Sequence, residues 1–154
     1  MLSSCMALHC PDSMTAVADF YNEMTPAKLD RLGDIYGPGV EFHDPIHNAS
    51  GLSQLREVLT YRFHHMAAVA VKVVDAHGDD RTGFLWWTVT YQHRGNGRVI
   101  HGTSHFKFAN DGRIAEQRDH WDSAPVLFGE LPLLGWLTRI IKQRAQKIPE
   151  KAGT

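Results

Sequence analysis

Apolar positions along the chain recur every three to four residues up to about residue 66 and every second residue after it. In S-M-T-A-V-A-D-F-Y-N-E-M, residues Val17, Phe20, Tyr21 and Met24 fall at i, i+3, i+4 and i+7, with Asp12 or Ser13 as the N-cap. T-P-A-K-L-D-R-L-G-D-I-Y restarts a helix, Thr25 capping it and Pro26 at its first position, so two helices are predicted over 13–36. G-P-G at 37–39 stops the second, and a short strand over 40–43 ends in an Asp-Pro turn. A third helix is predicted over 51–65 from Leu52, Leu55, Val58, Leu59 and Phe63.

Alternation then marks four strands, at 68–76, 82–93, 99–108 and 113–121. H-G-D-D, R-G-N-G and N-D-G separate them, which makes consecutive antiparallel hairpins. Helices first and a long curved sheet afterwards define an α+β architecture. The tail breaks the pattern. Leu133, Leu134, Trp136, Leu137, Ile140 and Ile141 make a wide apolar surface that ends in Arg139, Lys142, Arg144 and Lys147. It reads as a terminal helix packed on the sheet, its basic end matching the helix dipole, or as an interfacial helix making peripheral membrane contact. The expected division is a leader at 1–12, one domain at 13–122 and this amphipathic basic tail at 123–154.

Composition narrows the classes. The 154 residues suit one domain with a real core, and a net charge of −1 gives no basic excess to recommend nucleic acid. No apolar run has the roughly 18 residues of a membrane span, and the N-terminus lacks a signal peptide's charged and apolar regions. A cytoplasmic location is expected. Cys5 and Cys10 make neither a disulfide framework nor a zinc pattern, and none of the ten histidines falls in a recognised metal-ligand spacing, so no metal is expected.

The segment V-E-F-H-D-P-I-H at 40–47 places Asp44 before a proline and between two histidines. Asp before Pro commonly initiates a turn, and the same residue can serve as a general base at a pocket mouth. In order along residues 14–121, four stretches resemble the nuclear transport factor 2-like superfamily, which includes SnoaL-like polyketide cyclases and ketosteroid isomerases. M-T-A-V-A-D-F-Y is similar to the isomerases' opening helix, V-E-F-H-D-P-I to their base-bearing segment, G-L-S-Q-L-R-E-V to their third helix, and T-S-H-F-K-F to the strand with a second oxyanion donor. The resemblance implies a bent sheet wrapped by helices into a cone around an apolar pocket, and a homodimer joined through the outer sheet face. It implies that Tyr21 donates to a developing enolate and that Asp44 shuttles a proton. Ser104 stands where the isomerases hold an aspartic acid that an apolar site keeps neutral. A serine hydroxyl is the weaker donor.

Strand parity points to the same pocket. With Ser104 inward, Gly102 and Phe106 follow; Leu85, Trp87, Val89 and Tyr91 share one face of the preceding strand. On the last strand Gln117, Asp119 and Trp121 share a face, the favoured inward one, against Arg118, His120 and Asp122. The candidate catalytic set is therefore Asp44, Tyr21, Asp119 and Ser104. Trp87, Tyr91, Trp121, Val58, Phe106 and Leu85 are expected around the ligand. A carboxylate among aromatic rings is desolvated, which lifts its pKa toward a range useful for proton transfer. The expected function is a cofactor-free isomerase or cyclase acting on a small apolar carbonyl compound. The alternatives are a non-catalytic ligand-binding module and a lipid-associated protein.

Overall fold

The computed structural model describes residues 12–128, together with 136, 139–141 and 143. The chain divides into two units, Met1–Trp121 and Asp122–Thr154. The first unit carries every element of the sheet. α1 (Asp12–Asn22) is followed by a 3-10 segment (Pro26–Arg31), α2 (Leu32–Ile35), β1 (Tyr36–His43), β2 (Asn48–Ser50) and α3 (Gly51–His65). Four long strands complete it: β3 (Ala67–Gly78), β4 (Thr82–His93), β5 (Asn96–Phe108) and β6 (Ile114–Trp121). The second unit begins with α4 (Ala124–Phe128). The leader and most of the amphipathic tail lie outside the described residues, and among those described no helix is long and apolar enough to cross a membrane.

The six strands form one curved, open sheet in the order β2-β1-β6-β5-β4-β3. β3 to β6 pair as consecutive antiparallel hairpins, as the alternation predicts. The β4–β5 connection is a two-residue loop in which Arg94 and Gly95 both have positive φ, +49° and +80°. That is the backbone of a type I′ turn, whose twist matches that of the strands it joins. β1 closes on β6 in parallel, and β2 pairs antiparallel with β1.

Two differences from the sequence expectation have local causes. The second helix is a 3-10 segment and a single α-helical turn, because the strand begins at Tyr36 rather than residue 40. G-P-G therefore lies inside β1. The β1–β6 register shifts between Tyr36 and Glu41, so Pro38, which has no N–H to donate, stands where the ladder is already interrupted.

The core forms where α1 and α3 lie against the concave face. Val17, Phe20 and Tyr21 of α1 and Leu55 and Leu59 of α3 are buried with Tyr36, Phe42, Leu85, Trp87, Phe106 and Ile114 of the sheet. Asn22, at the end of α1, accepts the Val73 backbone N–H at 2.8 Å and ties that helix to β3.

Candidate active site

Parity places Gln117 and Asp119 of β6 inward, both buried, and leaves Arg118 and His120 exposed. Across the β5–β6 ladder Asp119 faces Ser104, and across β4–β5 Ser104 faces Leu85. These side chains join a hydrogen-bonded group drawn from five elements. The Trp87 indole N–H donates to Ser104 Oγ at 2.8 Å, and Ser104 donates to Asp119 Oδ1 at 2.6 Å. Gln117 Nε2 donates both to Asp119 Oδ1, at 2.7 Å, and to the Tyr21 hydroxyl, at 2.6 Å. Tyr36 donates to Gln117 Oε1 at 2.8 Å.

Most of the group's protons are already committed. Tyr36 uses its proton on Gln117, so the 3.3 Å contact between the two tyrosine hydroxyls takes its proton from Tyr21. That contact is long, and the Tyr21 O–H can turn from it to a better acceptor. Asp119 receives both its hydrogen bonds on Oδ1. Among the described residues no fully enclosed side-chain oxygen or nitrogen lacks a partner. Oδ2 has none, so it is open to the space beside it.

That space is a cavity of about 620 Å³ of empty volume, counted out to its open mouth. Tyr21, Tyr36, Arg62, Gln117 and Asp119 are its polar lining; the rest is apolar, from Met24, Phe42, Leu55, Leu59, Phe63, Met66, Val69, Val71, Trp87 and Val89. Burial raises the Asp119 pKa above the ordinary carboxylate value, against the pull of Arg62 and of the Ser104 and Gln117 hydrogen bonds. Burial and the nearby Asp119 charge raise Tyr21 as well, which keeps it a protonated donor.

Asp44 occupies different ground. It does not line this cavity. Its side chain is fully buried, and Oδ1 accepts the backbone N–H groups of Ile46 and His47, both at 2.6 Å, closing the D-P-I-H turn. Oδ2 meets His47 Nδ1 at 3.3 Å and forms a salt bridge with Arg62 of α3. Desolvation opposes its ionisation, but Arg62 and the two backbone donors outweigh it and hold the pKa below the ordinary value.

Of the residues expected around a ligand, Trp87 lines the cavity. Leu85 and Phe106 are wholly buried core residues, Tyr91 is also buried, and Val58 and Trp121 are partly buried and packed against the core. Phe106 meets Tyr21 edge-on, with centroids 6.2 Å apart. The expectation missed Arg62, Gln117 as the bridge between Tyr21 and Asp119, and Tyr36. Arg62 lies on the helix segment after the matched G-L-S-Q-L-R-E-V, seven residues beyond Leu55, and that spacing was the available signal.

A curved sheet wrapped by helices around an apolar cavity with a buried carboxylate defines a nuclear transport factor 2-like protein. More narrowly, the chain belongs to the SnoaL-like domain family, which matches residues 17–117. No curated protein matches it by sequence. Among solved structures it is similar to a nuclear transport factor 2-like protein of unknown function from Burkholderia pseudomallei, with 16% identity, a TM-score of 0.68, and 77% of this chain and 96% of that one covered. It is similar to a hypothetical protein with a ketosteroid isomerase-like fold from Catenulispora acidiphila, in complex with trimethylamine (15% identity, TM-score 0.64, 77% and 92% covered). It is also similar to an LEH-like epoxide hydrolase of M. tuberculosis (18% identity, TM-score 0.62, 84% and 96% covered). At these identities the likeness is one of fold.

Proposed function

We propose that this protein is an isomerase or aldol-type cyclase that moves a proton beside a carbonyl of an apolar substrate and needs no cofactor. One observation carries the reading: a single apolar cavity is lined by both Asp119, a buried carboxylate whose Oδ2 accepts no hydrogen bond among the described residues, and a phenol donor, Tyr21. Asp119 takes a proton from the carbon next to the carbonyl. The C–H electron pair forms the enolate double bond, and the carbonyl π pair moves onto oxygen, where the Tyr21 O–H donates to it. In an isomerase the proton returns to another carbon. In a cyclase the enolate carbon attacks a second carbonyl of the same molecule, and the new alkoxide takes the proton from Asp119.

In this reading Asp119 is the base. Ser104, already donating to Asp119, holds that carboxylate in place and is not itself an oxyanion donor. Asp44, engaged by its turn and by Arg62, positions the arginine. A second reading draws on the same burial: a carboxyl held neutral would donate to a bound carbonyl, and the protein would then be a ligand-binding module.

Exchange of protons next to the carbonyl of a panel of apolar ketones in deuterated water, followed by proton NMR, separates the two. Accelerated exchange is expected for at least one ketone. Asp119→Asn should slow it about 10²- to 10⁴-fold, and Tyr21→Phe by about 10²-fold. Acceleration that survives Asp119→Asn would sink the assignment. Ketones that bind without any exchange would favour the ligand-binding module.

A further inference from the structure

The cavity is polarised along its depth. Its floor is buried and carries Tyr36, Gln117 and Asp119, whereas Met24, Phe63, Met66 and Val69 at its rim are partly exposed. Arg62 belongs to that rim, with 26% of its side chain exposed, and it is the cation among the lining residues. Its guanidinium lies over the Phe42 ring, 5.5 Å from the centroid. Of its five N–H donors, among the described residues only one at Nη2 is engaged, by Asp44 Oδ2.

Asp44 does not exhaust this cation. Its own charge is shared with the backbone N–H groups of Ile46 and His47 and with the His47 ring. The salt bridge and the Phe42 face hold the guanidinium beside the cavity, and among the described residues its other N–H donors make no hydrogen bond. An arginine held in this way suits a carboxylate, whose two oxygens accept paired N–H bonds.

We propose that Arg62 is the docking point for an anionic group, so that the cavity selects apolar carboxylates over neutral molecules of the same shape. The proposal rests on the reading of this cavity as a substrate site and narrows the substrate class to apolar acids, carbonyl-bearing body inward and carboxylate at the rim. Arg62 then sets specificity and register, and Asp44 sets Arg62.

Isothermal titration with 2-naphthoate and its neutral counterpart 2-naphthamide tests it. The wild-type chain is expected to bind the carboxylate about tenfold more tightly than the amide. Arg62→Met should abolish that preference, the carboxylate losing more affinity than the amide. That variant strands the Asp44 charge, so the double variant Asp44→Asn with Arg62→Met, which removes both charges, is measured beside it and should show the same loss. Equal affinity for both probes in the wild type, or a preference that survives in the double variant, overturns the proposal while leaving the Asp119 exchange experiment untouched. Binding of neither probe overturns it together with the reading of the cavity.

Discussion

Asp44 and Asp119 carry the same functional group into opposite surroundings, and their contributions to stability should run in opposite directions with pH. The Asp119 pKa is raised by burial, so the folded chain holds its proton more firmly than the unfolded chain does. Its contribution favours folding below the unfolded value of about 4 and is lost as pH rises through the raised folded value. Asp44 is lowered, so its contribution is present above about pH 4 and is lost as pH falls through the folded value. Thermal melts of Asp119→Asn and Asp44→Asn across pH 3 to 8 check both signs. Relative to wild type, Asp119→Asn should become progressively more favourable as pH rises, because the asparagine carbonyl still accepts from Ser104 and Gln117 while the ionisation cost is gone. Asp44→Asn should be least favourable near neutrality, with its deficit shrinking below about pH 4. Two variants that shadowed the wild-type curve at every pH would contradict the environments described for both groups.

Between β4 and β5 the site depends on an absent side chain. Gly102 pairs with Trp87 across the ladder, and a Cβ at 102 would overlap the six-membered ring of that indole. The indole can lie over the glycine and reach Ser104 only because nothing projects there. Gly102→Ala is therefore expected to cost about 1–3 kcal/mol by overpacking and to release the Trp87–Ser104–Asp119 chain, lowering exchange activity as well. Urea unfolding and the ketone exchange assay measure the two effects; an alanine variant with unchanged stability would mean that the ring moves aside freely. The same interval shows what the sequence could convey. Strand alternation put Trp87, Ser104 and Asp119 on one face, because period two is a local property of the chain. The parallel pairing of β1 with β6 and the hydrogen bond from Tyr36 to Gln117, 81 positions apart, were not legible, because both join residues distant in the chain and neither carries a local signature. Asp44 was ambiguous for a related reason. Its turn was readable from D-P, whereas its ion pair with Arg62 depends on where α3 lies.

The concave face of the sheet is filled by α1, α3 and the cavity, while the convex face of the first unit carries apolar groups that nothing in that unit covers. Trp86 is 51% exposed, Phe84 56%, Val99 58% and Val74 42%. Around them the outward residues carry both signs of charge: Lys72 and Asp75 on β3, Lys107 on β5, Glu116 and Arg118 on β6. An apolar strip flanked by mixed charge is self-complementary, since a two-fold rotation can bring basic positions of one copy over acidic positions of another. We therefore propose that a second copy of this chain covers the convex face. Trp86→Lys tests it, because an ammonium at the centre of an apolar contact would be buried without a partner. Sedimentation velocity should find the wild type as a dimer and the variant as a monomer. Trp86 and Trp87 point to opposite faces, so the variant should still bind 2-naphthoate as the wild type does, which separates loss of assembly from loss of fold. A wild-type chain that sediments as a monomer, or a variant that remains a dimer, would remove the convex face from consideration as the contact between copies.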